Sequence, residues 1–236
     1  NFAEISADGR IVATACDDGL CRIWPIKFKS KWGVRKLAGH KGAVMSVCLS
    51  RDGGTAVTCG EDKTCRMWRT ETGVCMQVMK SHGNVVHKGQ MSRGDSQLTT
   101  ASSDGTVRIW RLDRGSCVKV LRGHAGPVFS ASFGHDNMLV VSCGIDGTAR
   151  VWDIITGQCL QVMEHENNCL VCCAVFSKDD QLVLTSGTDK SVRIWIRGDA
   201  LQDVDADAPR VIAGSRELHF PKRPGDQREE EEEEGE

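Results

Sequence analysis

The sequence predicts an all-β fold, in which five copies of a four-stranded antiparallel sheet stack face to face. Three observations predict it. Tryptophan recurs at Trp24, Trp68, Trp110, Trp152 and Trp195, at spacings of 44, 42, 42 and 43 residues. Other residue types stand at fixed offsets from each of these Trp. The stretches between them are short, rich in β-branched residues and Cys, and bounded by turn formers. A sustained period of this length marks a repeat architecture in which each unit covers its neighbour.

The offsets are regular. Asp lies six positions before every Trp, at Asp18, Asp62, Asp104, Asp146 and Asp189, and Arg lies two before it. A hydroxyl precedes each Asp by four: Thr14, Thr58, Thr100, Ser142 and Thr185. His40, His82 and His124 stand twenty-two before their Asp, whereas His165 stands twenty-four before Asp189. The two extra residues read as a loop insertion. The first copy has no His within the sequence.

Within one period, VMSVCLS, TAVTCG, TCRMW and VCMQVM read as four strands, and RDGG, ED and TETG read as turns. A lone meander cannot bury both of its faces. Copies arranged radially can, and that arrangement is a β-propeller. The expected blades are 1–39, 40–80, 81–123, 124–164 and 165–197. Residues 198–236 are expected to be mostly disordered. The innermost strand of each blade follows the His. The outermost is expected at Val74–Lys80, Ser116–Arg122 and Gln158–Glu164. The fifth blade has only a weak candidate, Arg210–Gly214.

Gly39-His40, Gly123-His124, the segments DGLCRIW, DKTCRMW, DGTVRIW, DGTARVW and DKSVRIW, and the literal pair Trp152-Asp153 resemble the WD-repeat family. The resemblance covers about residues 1–197. Pro25, Arg69, Arg111 and Ile196 replace the terminal Asp, and Ser81 and Glu164 replace the Gly before His. The resemblance implies about seven blades in a full ring. The chain is therefore expected to be an incomplete, open part of a larger propeller.

The resemblance also implies a structural relay in each blade: Asp accepts from His, His bonds the strand hydroxyl, and the hydroxyl accepts the Trp indole N–H. The donor and acceptor inventory permits it. His, Ser/Thr and Asp together also suit nucleophilic catalysis. A hydrolase needs one such constellation in one pocket, however, and here it recurs once per blade beside a Trp. No catalytic residue is expected.

Most of the twelve Cys fall in columns of the repeat. Cys75, Cys117 and Cys159 follow a Trp by seven, Cys21 and Cys65 precede one by three, and Cys59 and Cys143 precede the turn Asp by three. They read as small, often buried strand residues rather than disulfide partners, which points to a reducing compartment, the cytoplasm or nucleus. Cys169, Cys172 and Cys173 form CLVCC, but a CxxC without a second ligand pair is a weak zinc signal. No metal is expected.

The charge is −2 overall, with seven Glu in residues 229–236. The remaining body is mildly basic, far from the footprint of a nucleic-acid binder. Aromatic content is 5% with no Tyr, which leaves no base-stacking platform. No phosphate-binding loop occurs, so no cofactor is expected. No apolar run is long enough to span a membrane.

Function is then expected on the rim. The first residues of the inner strands, Met45, His87, Phe129 and Cys172, and those preceding each turn Asp, namely Asp17, Glu61, Ser103, Ile145 and Thr188, differ from blade to blade. Variation on a repeated frame is where specificity can be written. The expected role is a non-catalytic scaffold or adaptor for other proteins or peptides, within a multiprotein complex. The alternatives are a reader of a peptide or modified tail at the propeller mouth, or the propeller region of a larger enzyme or signalling protein.

Overall fold

The computed structural model describes residues 1–26, 33–165, 169–198 and 216–217. Among the described residues, twenty strands form five separate sheets. Sheet 1 holds β1 (Phe2–Ile5), β2 (Ile11–Ala15), β3 (Leu20–Pro25) and β4 (Arg35–Ala38). Sheet 2 holds β5 (Val44–Leu49), β6 (Thr55–Gly60), β7 (Thr64–Arg69) and β8 (Cys75–Lys80). Sheet 3 holds β9 (Val86–Met91), β10 (Gln97–Ser102), β11 (Thr106–Arg111) and β12 (Ser116–Arg122). Sheet 4 holds β13 (Val128–Phe133), β14 (Leu139–Gly144), β15 (Thr148–Asp153) and β16 (Cys159–Glu164). Sheet 5 holds β17 (Val171–Phe176), β18 (Leu182–Gly187), β19 (Val192–Ile196) and β20 (Arg216–Glu217).

Every sheet is an antiparallel meander in chain order. The hairpins joining the second and third strands of each sheet turn through the repeated Asp. Asp18, Asp62, Asp104, Asp146 and Asp189 each accept the backbone N–H two residues ahead, an Asx turn, at 3.0–3.2 Å. The residue after each Asp sits at positive φ; it is Gly in three blades, with Gly105 at 80°, and Lys in the other two, with Lys63 at 66°. Gly occupies this region without penalty, whereas Lys relies on the surrounding bonds to hold it there.

Sheets pack in sequence order, with β1, β5, β9, β13 and β17 forming the inner line of contact. Each interface is one hydrophobic cluster. Its makeup shows that the Trp of each of sheets 2 to 5 packs backwards, onto the preceding sheet. Trp68 joins Ile11, Ala13, Ile23 and Leu37 of sheet 1. Trp110 joins Val57, Cys59 and Met79 of sheet 2, and Trp152 joins Val107, Ile109 and Leu121 of sheet 3. The central strands β6, β10 and β14 are buried on both faces, as a sheet covered on each side requires. The outer strands β8, β12 and β16 alternate between covered and exposed.

The arc is open. Among the described residues, the packing runs from sheet 1 to sheet 5 without returning. The consequence is visible at both ends. Trp24 is 40% exposed, against 1–2% for Trp68, Trp110 and Trp152, because no sheet lies behind it. On the far side, Leu182 and Leu184 of β18 are exposed. The fourth strand of sheet 5 is a two-residue ladder, Arg193↔Glu217 and Ile194↔Arg216, rather than the expected Arg210–Gly214, which lies outside the described residues. Residues 199–215 and 218–236, most of the expected disordered tail, also lie outside them.

A second repeated device was not anticipated. In the hairpins joining the first and second strands of sheets 3 to 5, Asp95, Asn137 and Asp180 adopt φ of 53°, 59° and 57°. Each accepts a backbone N–H from the preceding sheet: Arg51 to Asp95 at 2.8 Å, Arg93 to Asn137 at 2.9 Å and His135 to Asp180 at 2.8 Å. Asn and Asp tolerate this backbone region and supply the acceptor at once. The signal was present in the sequence as an Asx every 42–43 residues. Among the described residues, no helix is long and apolar enough to cross a membrane.

Candidate functional site

Three blades carry the complete relay. In sheet 2, His40 Nδ1 donates to Asp62 at 2.9 Å, His40 Nε2 meets Thr58 Oγ1 at 2.7 Å, and Trp68 Nε1 donates to the same hydroxyl at 2.8 Å. In sheet 3 the distances for His82, Asp104, Thr100 and Trp110 are 2.8, 2.7 and 2.9 Å. In sheet 4, for His124, Asp146, Ser142 and Trp152, they are 2.9, 2.8 and 2.8 Å. The partners fix the tautomer: an N–H on Nδ1, and a bare Nε2 that accepts the hydroxyl proton. Each carboxylate also takes the backbone N–H that follows the His, from Lys41, Gly83 and Ala125. One Asp thus ties the loop before the inner strand to the hairpin.

The two end blades depart from this pattern. In sheet 1, Trp24 donates to Thr14 at 2.9 Å, while Asp18 is exposed and bonds Arg22 at 2.6 Å. In sheet 5, Trp195 and His165 Nε2 both reach Thr185, at 2.8 and 2.7 Å. His165 Nδ1, however, lies 3.6 Å from Asp189, beyond hydrogen-bond reach. The expected fifth relay is therefore broken at its His–Asp step. The physical reason is spacing, since two extra residues separate His165 from Asp189.

The relay hydroxyls of Thr58, Thr100 and Ser142 are buried and fully engaged in hydrogen bonds, each with two partners. Burial, the largest influence, holds the His40, His82 and His124 imidazoles below their usual pKa. Burial alone would raise Asp62 and Asp104. Hydrogen bonds from His40, Lys41 N–H and Thr64 bring Asp62 down to about 2, and those from Thr106, Gly83 N–H and His82 do the same for Asp104.

Both shifts have the same consequence for stability. A native-state pKa held below the unfolded value means that the unfolded chain binds more protons, so stability rises with pH. The His contribution is complete above pH 6.5 and declines as pH falls below it. The Asp contribution is complete above about pH 4 and is lost as pH falls toward 2. The urea midpoint is expected to fall in two stages on acidification, first as pH drops below 6.5 and again below about pH 4. Allowing for solvent access, Asp62 and Asp104 each contribute on the order of 1–2 kcal/mol. A midpoint independent of pH between 7.5 and 3 contradicts this account.

The cysteines are all free. Cys21, Cys48, Cys59, Cys65, Cys143 and Cys169 are buried. The outer-strand column is a correction: Cys75 and Cys117 are half-buried and Cys159 is exposed, because the outer strands have one face in solvent. Burial pushes the Cys21 thiol up to about 12 and those of Cys48, Cys65 and Cys143 well up, which makes them poor nucleophiles. Column mates on different blades are not the near neighbours. The close pair is Cys59 and Cys65, opposite each other on β6 and β7, with sulfurs 3.1 Å apart.

On the rim, Asp17, Glu61, Ile145, Thr188 and Cys172 are exposed, and Met45, His87, Ser103 and Phe129 are half-buried. The structure brings three of them together across the sheet 3–sheet 4 boundary. The His87 and Phe129 rings meet edge-on, with centroids 5.4 Å apart and planes at 70°, and His87 Nε2 shares a 2.6 Å hydrogen bond with Ser103 Oγ. The others are held singly. Asp17 accepts from the Asn1 amide at 2.7 Å, Glu61 accepts Ala43 N–H at 3.2 Å, and Thr188 Oγ1 accepts Leu170 N–H at 3.1 Å. Two surface depressions, of about 350 and 310 Å³, include neither relay nor rim residues and lie instead beside the Asx hairpin at Asp95.

Five radially packed meanders, with the Trp of sheets 2 to 5 turned onto the sheet before, define an open arc of propeller blades. The sequence model of the family described as "WD domain, G-beta repeat" matches residues 2–25, 33–69, 73–111, 115–153 and 157–195, most of the chain. The chain belongs to the WD-repeat family. Similar proteins include Protein Notchless of Drosophila melanogaster, 35% identical over 80 residues, which are 33% of this chain and 15% of that protein. Autophagy-related protein 16 of Arabidopsis thaliana is 33% identical over 36% of this chain and 16% of its own length. Nuclear distribution protein PAC1 of Komagataella phaffii is 31% identical over 32% of this chain and 16% of its own length. The matches thus span about one-sixth of each of these relatives.

Proposed function

We propose that this chain is a non-catalytic protein-interaction scaffold that engages protein or peptide partners through its rim, as a subunit of a larger assembly. The observation that carries the reading is the contrast between frame and rim. The repeated polar residues of sheets 2 to 4 are consumed inside the blades, whereas the rim positions differ in chemistry and lie at or near the surface. Ile145, 42% exposed, stands over Gly126 at the mouth of the sheet that carries Phe129. An exposed aliphatic beside a half-buried aromatic pair is the composition of an interface anchor. All twelve cysteines are unpaired, which suits a reducing compartment, and we place the protein in the cytoplasm or nucleus.

The test is affinity purification with mass spectrometry, comparing the wild type with Ile145→Asp and Glu61→Lys. Both sites are exposed, so melting temperatures should stay within about 0.5 kcal/mol equivalent of wild type. Ile145→Asp is expected to remove specific co-purifying proteins. Selective loss with Glu61→Lys instead favours a basic peptide at the mouth. A partner set unchanged by either substitution counts against the rim.

A further inference from the structure

The broken relay of sheet 5 leaves a specific arrangement of groups. His165 Nδ1 has no hydrogen-bond partner, although its side chain is fully buried. It faces Asp189 Oδ2 at 3.6 Å, where the intact blades show 2.8–2.9 Å. The third member is Cys169, which is 3% exposed, and the Cys169 Sγ, His165 Nδ1 and Asp189 carboxylate all lie within 4.8 Å of one another. We infer that His165, Cys169 and Asp189 form a zinc-binding site, with water as the fourth ligand, that clamps the last blade in place of the missing hydrogen bond.

The geometry fits a cation better than it fits a relay. With bonds of about 2.0–2.3 Å, the ligand–ligand edges of a tetrahedral zinc site are about 3.3–3.8 Å. The observed N–O separation matches such an edge and is too long for a direct bond. The donor set of imidazole, thiol and carboxylate suits zinc among common divalent ions. Two donors converge on the sulfur: Asp189 N–H at 3.4 Å and Thr188 Oγ1 at 3.7 Å. The Cys169 thiol also lies 3.3 Å from Leu170 O.

The surrounding groups complete it. Metal on His165 Nδ1 places the remaining proton on Nε2, which donates to Thr185 Oγ1 at 2.7 Å. A ligand His is usually oriented by such a second bond. The tautomer is then the reverse of that in sheets 2 to 4. Asp189 Oδ1 takes Ser191 N–H at 3.1 Å, while Arg193 lies 3.3 Å from Oδ2. Gly187 packs so closely that a Cβ there would lie 2.3 Å from Cys169 Sγ, so the sulfur's position depends on this glycine. Cys172, exposed on the rim, and Cys173 belong to the same CLVCC segment but not to the cluster.

The test uses the full chain, freed of metal and titrated with Co²⁺, then Zn²⁺. One equivalent of Co²⁺ is expected to give tetrahedral visible bands and a single thiolate-to-cobalt charge-transfer band, which Zn²⁺ abolishes. Zinc should also raise the melting temperature. Cys169→Ser should lose both effects while keeping the metal-free far-ultraviolet circular dichroism, and Cys172→Ser/Cys173→Ser should keep both. Absence of bands in the wild type, or their survival in Cys169→Ser, overturns the site. If Cys169→Ser fails to fold, the double variant decides: retained bands support the assignment, and lost bands move the cation to the CxxC and overturn it.

Discussion

Trp110→Ala is expected to lower the stability of the chain by about 3–5 kcal/mol, whereas Trp24→Ala, the same change in the same motif, should cost about 1–2 kcal/mol. Both indoles donate to a strand hydroxyl at 2.9 Å, so the difference cannot come from that bond. It comes from what lies behind the ring. Trp110 is 2% exposed and packs on Val57, Cys59 and Met79 of the preceding sheet, whereas Trp24 is 40% exposed. Burying about 200 Å² of indole is worth about 5 kcal/mol before cavity effects, and a ring left 40% open gains correspondingly less. Urea denaturation of the two variants side by side checks the claim. Equal losses would mean that the Trp acts mainly within its own blade, contrary to the packing described above.

Asp104→Ala is the second large effect, expected at about 2–4 kcal/mol. The carboxylate receives His82 Nδ1 at 2.8 Å, Gly83 N–H at 2.9 Å, Thr106 N–H at 3.0 Å and the Thr106 hydroxyl at 2.6 Å. Its removal strands several donors at once, each costing about 1–3 kcal/mol where water cannot reach it. Asp104 side-chain exposure is 13%, so water recovers part of that cost. Asp18→Ala in the first blade should cost far less, because Asp18 is exposed and its ion pair with Arg22 is solvated. The variant also separates frame from function: a large stability loss, with rim-dependent binding retained at a temperature where it stays folded, is the expected outcome. Loss of a chemical turnover with stability intact would reopen the catalytic reading of His82, Thr100 and Asp104.

Both results turn on features that were unevenly legible in the sequence. The period, the meander and the relay partners of sheets 2 to 4 could be read directly, because they depend on residue types at fixed separations along one strand–turn–strand unit. The Asx clamps at Asp95, Asn137 and Asp180 repeat with the same period, yet they went unread, since a hairpin Asx ordinarily satisfies its own turn. The His87–Phe129 contact joins residues 42 apart on neighbouring sheets, and no local pattern sets their ring geometry.

What the sequence determined by itself is therefore the blade: its strands, its Asp turn and the bonds internal to it, since these are fixed by short-range chemistry. Only the tertiary structure decided which blades complete that chemistry. Trp24 carries the same motif as Trp110 but lacks a sheet behind it. His165 keeps its hydroxyl partner but is 3.6 Å from Asp189. The reason is that hydrogen-bond reach and burial are distances between elements, set by how the sheets stack and how loops of different length cross between them. Two residues of insertion before Asp189 change a spacing by an amount the sequence shows and a geometry by an amount it does not.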